Sequence, residues 1–324
     1  MLSASRSGDA VRRLLVVALI AWPLSQSAHA KKIEPPDVFQ NILIIRGELE
    51  RIRIALGKPR EQRAEIEIRD AQPREVFFQA ITLWVKTERL CRESRGAGAS
   101  SLARIHVAPP DDPTPRDVWT LTQNAIGRLS CVKRVLDLDG DVATPSRDDS
   151  KTPTDVFRSV VQANRQLNLL LEHPFNPSDV FAIVTLTNDY LVETMDKLSP
   201  GWRADEPKIP AHAGGKQPID VYRQLTQCLA VIQRIAAHSD LDMLEFEADL
   251  EQDIVPSDVF DIASLVLSEV RYFASEIGLK KRYAFREFGK KVPADVYQLA
   301  RWQEALLETF EALAKRDPKW HANN

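Results

Sequence analysis

Four sets of residues in this chain could do chemistry. The cysteines are Cys91, Cys131 and Cys228, without a C-x-x-C pair or any haem or metal-ligand spacing. Cys91 and Cys131 stand 15 and 13 residues after two copies of a recurring valine, Val76 and Val118, at similar depth on neighbouring helices. A disulfide between them is one expectation, and two unconnected residues the other. Cys228 falls on an apolar stripe and reads as a packed, inert thiol.

Alternating acids at Asp137, Asp139 and Asp141 could converge oxygens on calcium. Gly140 is misplaced for an EF-hand loop and no glutamate closes it, so the calcium candidate is weak beside a solvated acidic turn. After residue 30 the histidines are His106, His173, His212, His238 and His321, none spaced three or four residues from another and none in E-x-x-H. No metal site is expected from them. Asn164, Asn168, Asn188 and Tyr190 come closest to a small-ligand signature, with Asn164 and Asn188 each eight residues past a recurring valine. No Gly-rich phosphate loop, nucleophile elbow or triad pattern occurs, so no catalytic residue and no cofactor are assigned.

The elements that would position these groups start at one repeated motif, Pro-x-(Asp/Glu)-Val-(Phe/Tyr/Trp). Its eight copies begin at Pro35, Pro73, Pro115, Pro153, Pro177, Pro218, Pro256 and Pro293. Proline suits the first helical position because the N–H it lacks would be unpaired there anyway. An acid two residues later sits beside free backbone N–H groups and the positive end of the helix dipole. Thr114, Thr152 and Asn176 add side chains suited to the N-cap, as in a capping box. Behind each valine, apolar residues recur at helical spacing, as in Val38, Ile42, Ile45, Leu49 and Ile52, or Val259, Ala263, Val266, Val270 and Phe273. The acids and aromatics of the motif therefore read as cap and core.

The fold class that follows is all-α: eight repeated amphipathic helices forming two related four-helix bundle-like units with long ordered links. Successive motif valines lie 38, 42, 38, 24, 41, 38 and 37 residues apart, and the single short step divides the chain into 31–174 and 175–324. The join at 172–176 is short enough to force a reversal between the fourth and fifth helices. The other links are long for a bundle. Some carry alternating segments, at 64–68, 104–107, 244–247 and 283–288. An extended link of this length could run back beside its helix and make neighbours parallel, but compact antiparallel packing is the expected arrangement. The stretches 199–217 and 137–151 are expected to be mobile loops.

Composition bounds the function. The chain is 44% hydrophobic and 27% charged, enough for a substantial core, and its net charge of −3 without a basic patch argues against nucleic acid as a partner. Residues 1–30 read as a signal peptide: Arg6, Arg12 and Arg13, an apolar run from Leu14 to Leu24 too short to span a bilayer, and the ending Ala28-His29-Ala30. Removing them takes the charge to −5 and leaves no transmembrane anchor. The lack of a usable Asn-x-Ser/Thr site and the short Ala-x-Ala end of the signal fit a bacterial periplasmic or secreted protein.

The expected function is non-catalytic binding of an envelope partner protein or a small molecule on helical surfaces or in an inter-bundle cleft. The alternatives are a sensor or carrier bundle holding a cofactor or metal, and an enzyme of unknown class. A cluster of buried, mutually close carboxylates, or a His–carboxylate pair in a cleft, would favour the enzyme.

Overall fold

The computed structural model describes residues 32–62, 67–96, 110, 112–172, 175–246, 254–280 and 286–322. The signal-like segment, the alternating stretch 104–107, His106 and His173 lie outside the described residues. The helices are α1 (Pro35–Ala55), α2 (Pro73–Ser94), α3 (Pro115–Val135), α4 (Pro153–Leu170), α5 (Pro177–Leu198), α6 (Pro218–Ser239), α7 (Pro256–Glu276) and α8 (Pro293–Arg316). The strands among the described residues are β1 (Ile68–Arg69) and β2 (Glu245–Phe246), paired antiparallel with Ile68 opposite Phe246.

Every helix begins at its motif proline, and the motif acid does the same work each time. Its carboxylate accepts the backbone N–H of the residue before the proline, at 2.7–3.0 Å, in Glu34 to Asp37, Gln72 to Glu75, Thr114 to Asp117 and Thr152 to Asp155. Asn176, Gln217, Val255 and Val292 donate likewise to Asp179, Asp220, Asp258 and Asp295. The stripes behind the motif are buried; Val38, Ile42, Ile45, Leu49 and Ile52 are at most 1% exposed. Each such side chain contributes about 2 kcal/mol on leaving water.

Residues 33–324 make one compact unit. Inside it α1 and α2 each pack against α3 and α4, and α5 and α6 each pack against α7 and α8. Within both sets the helices run parallel, contrary to the antiparallel expectation. The first proline and valine of α5, α6, α7 and α8 all line one small apolar hollow, so four N-termini meet at one end. Polar pairs repeat a parallel register: Arg46 to Ser159 and Asn188 to the Leu299 carbonyl, Asn164 to the Gln79 carbonyl and Gln224 to Glu304. Each joins a position eleven beyond one helix's first proline to a position six beyond another's. Gathering four positive helix ends would cost free energy, and an acid at each end offsets it by about 0.3–1 kcal/mol.

Parallel packing is made by returning links, and four of them, among the described residues, climb back along the outside of a helix. The α3–α4 link lies on α1: Arg51 binds the Asp139 and Gly140 carbonyls, Glu48 accepts the Val142 N–H, Gln40 binds the Pro145 carbonyl, and Arg147 reaches Asp37 and Glu34. Gly47 is where this strap comes closest, since a Cβ there would stand 2.9 Å from Val142 Cγ1. The α5–α6 link lies on α8, where Trp302 binds the Pro207 carbonyl, Gln298 the Pro210 carbonyl, and His212 meets Asp295. Both expected loops, 137–151 and 199–217, are thus straps fastened along a helix. The α1–α2 link follows α4 through Gln166, Arg158 and Thr154, and the α7–α8 link follows α5 through Asp189, Phe181 and Ser178.

The two sets lie side by side pointing opposite ways, as the short join between α4 and α5 requires. Arg89, late in α2, meets Asp179 at the start of α5, and Asn168, late in α4, meets Asp258 at the start of α7.

Candidate functional site

The seam between the sets is built mainly by α2 and α7, and it is unusually polar for buried surface. At one end Lys86, with no exposed surface, grips both carboxylate oxygens of Asp261 at 2.8 and 2.9 Å. Phe175 stacks on Phe260 at 3.8 Å between ring centres, with the Arg89 guanidinium 4.3 Å above it. Burial lowers the Arg89 pKa and raises that of Asp179 beside it. These groups are sealed and satisfied, so this end is a joint.

The other end of the seam opens into a cleft of about 440 Å³. Because α2 and α7 are antiparallel, the start of α2 brings Arg74 and Phe78 opposite Arg271 and Tyr272 from late α7, and Tyr190 of α5 closes one side. The segment before α3 contributes Pro110, Asp112 and Pro113. The Arg74 guanidinium lies 3.8 Å from the Tyr272 ring centre, and that of Arg271 lies 5.3 Å from Phe78 and 5.6 Å from Tyr190. Each guanidinium lies against an aromatic ring, so the cleft combines positive charge with an apolar bed.

Behind Arg74 sit two carboxyls with no exposed surface, Glu75 and Glu269. Glu75 Oε2 accepts the Gln72 N–H at 2.7 Å, and Glu269 Oε1 accepts the Ser268 hydroxyl at 2.8 Å. Their remaining oxygens turn to one cation: Arg74 Nη2 is 3.0 Å from Glu75 Oε1, and Arg74 Nε 3.5 Å from Glu269 Oε2. Burial raises Glu75 well above the ordinary glutamate range, the charge of Glu269 adds to this, and Arg74 opposes it. Burial raises Glu269 too, opposed by Arg74 and the Ser268 hydroxyl. The pair titrates as one unit.

The residues singled out in the sequence are dispersed. Tyr190 lines the cleft. Asn164 and Asn188 are buried interhelical ties, each donating to a main-chain carbonyl of a neighbouring helix, and Asn168 bonds Asp258. Cys91 and Cys131 form a disulfide between the far ends of α2 and α3, with Cα atoms 5.8 Å apart. Cys228 is a buried free thiol whose pKa is pushed well up by burial. In the acidic turn, Asp141 binds Lys133 at 2.6 Å and the Asp139 carbonyl accepts from Arg51. Asp137 occupies the left-handed region at φ 53°. No group of three His, Cys, Asp or Glu side chains among the described residues is arranged to hold a metal, there or elsewhere.

Arg74, Glu75, Phe78, Glu269, Arg271 and Tyr272 were not singled out in the sequence. One signal was available: Glu75 is the only glutamate among eight motif acids. No helix among the described residues is long and apolar enough to cross a membrane. Comparison with protein-family models, with curated proteins and with solved structures finds no match to this chain.

Proposed function

We propose that this is an exported, non-catalytic binding protein of the bacterial envelope, with its ligand site in the cleft between the bundles. The ligand class is a small organic anion with an aromatic or apolar body. The observation that carries this reading is the pair of guanidiniums resting on Tyr272, Phe78 and Tyr190 within one cleft of ligand size. Export is supported by the signal-like first 30 residues and by the Cys91–Cys131 disulfide, a bond favoured in oxidising compartments.

The buried Glu75–Glu269 pair is the feature that favours catalysis instead. Neither carboxyl lines the cleft, whose wall at that point is Arg74 and Ser268. A general acid or base must reach the proton it moves, so binding is the stronger reading.

Calorimetric titration with benzoate, phenylacetate and benzenesulfonate tests it. Binding is expected in the wild type and should weaken at least tenfold in Arg271→Ala; no binding by any of the three removes the reading. Recovery of the protein from the periplasmic fraction, with Lys31 as its first residue, tests the export part.

A further inference from the structure

Arg74 stands between two environments. On the cleft side its guanidinium lies against Tyr272, and its side chain is 13% exposed. On the other side it is the cation shared by Glu75 and Glu269. Glu75 Oε1, Glu269 Oε2 and Arg74 Nε are all buried without a hydrogen-bond partner, although they lie within ion-pair range. Two buried carboxylates facing one cation leave one charge unmatched, which is costly in a dry site. One proton held by the pair removes that charge, leaving −1 on the pair against +1 on Arg74.

We infer that the cleft takes up its anion together with one proton, which is bound by the Glu75–Glu269 pair. The inference rests on the cleft being a site for small anions. An anion seated against Arg74 claims its positive charge, and the pair, left with −1 in a dry pocket, takes a second proton from solvent. Ligand and proton then enter as a neutral set.

The surrounding groups leave this role to the pair. From the stretch after α6, Asp242 offers Arg74 its backbone carbonyl at 2.6 Å. Asp112 before α3, with Arg271, Glu276 and Lys280 of α7 and its end, lines the cleft wall. Burial, then the Glu276 charge, raises the Tyr272 pKa, so that ring stays neutral. Further along the seam Lys86 and Asp261 neutralise each other.

The sign follows from linkage. Arg74 lowers the proton affinity of both carboxyls, so its neutralisation raises it. The bound state therefore holds more protons than the free state, and anion affinity rises as pH falls. The limit is a factor of about ten per pH unit, between the pH where the free pair takes its second proton and the higher pH where the occupied pair does.

Benzenesulfonate is the probe, because it stays anionic throughout. It is titrated calorimetrically into the folded, disulfide-intact protein, from the ordinary glutamate range to beyond neutrality, in two buffers of different ionisation enthalpy. Expected are net uptake of close to one proton per bound anion and affinity rising several-fold per unit of acidification. Glu75→Gln combined with Glu269→Gln should still bind while losing both effects. Should that variant fail to fold, the wild-type proton count alone decides. Binding with no proton uptake and a flat pH profile overturns this inference and leaves the cleft as a binding site. No binding at any pH overturns both.

Discussion

The two four-helix sets solve one problem with different materials. In each, the third link must climb the outside of the first helix. In α1–α4 this strap is held by charge: Glu48 accepts from Lys133 at 2.9 Å and from the Val142 N–H at 2.8 Å, and Arg147 clamps Asp37 and Glu34. In α5–α8 the same strap is held, among the described residues, mainly by rings, with Phe288 edge-on to Phe181 and Lys291 over that ring, and by Arg286 on Asp189 and the Ser178 hydroxyl on Gly289 and Lys291. The far ends differ as well. A disulfide closes the first set, whereas Phe273, Phe310 and Trp320 pack together in the second, the indole N–H donating to Ser239 at 2.7 Å. The fold demands a returning strap and a closed far end, and leaves the fastening chemistry open.

The sharpest way to break the comparison is to remove the fastening that only one set has. Cys91→Ser with Cys131→Ser opens a loop of 40 residues, for a loss of about 4 kcal/mol from chain entropy. Hydrogen exchange should rise in α1–α4 well before α5–α8, and uniform loosening of both sets would contradict the account. A smaller effect comes from Glu48→Gln, which leaves the Lys133 charge to Asp141 and weakens the tie to Val142. A loss of about 2 kcal/mol is expected, with exchange at Val142 rising first. The smallest effect belongs to the strap on α8. Trp302→Phe keeps the ring packing and deletes the bond to the Pro207 carbonyl, costing about 1 kcal/mol in chemical denaturation.

The helices were legible because their signals are local. A proline, an acid two residues on and a stripe at helical spacing lie within twenty residues, and every helix starts where that motif does. Similar depth on neighbouring helices made a Cys91–Cys131 bridge one of two expectations, and the structure forms it. Helix direction was harder, because link length permits return without requiring it. What decides it are single contacts such as Gly47 under Val142, or Trp302 on the Pro207 carbonyl, which carry no pattern of their own. The cleft was least legible. Arg74 and Glu269 are 195 positions apart, and they meet only because two parallel sets lie head to tail. Asn164 and Asn188 read as a ligand signature from their matched places after the motif valines, but their polarity is used to tie one helix to the next.

Returning straps also bear on how such a chain could lengthen. In an up-and-down bundle an inserted rod reverses every rod after it, so only even insertions preserve orientation. Here a rod within a set can be delivered with its own way back, and one rod with its strap can be gained or lost while the others of that set keep their heading. Copy number is thereby freed from parity, a freedom suited to an architecture assembled from whole modules.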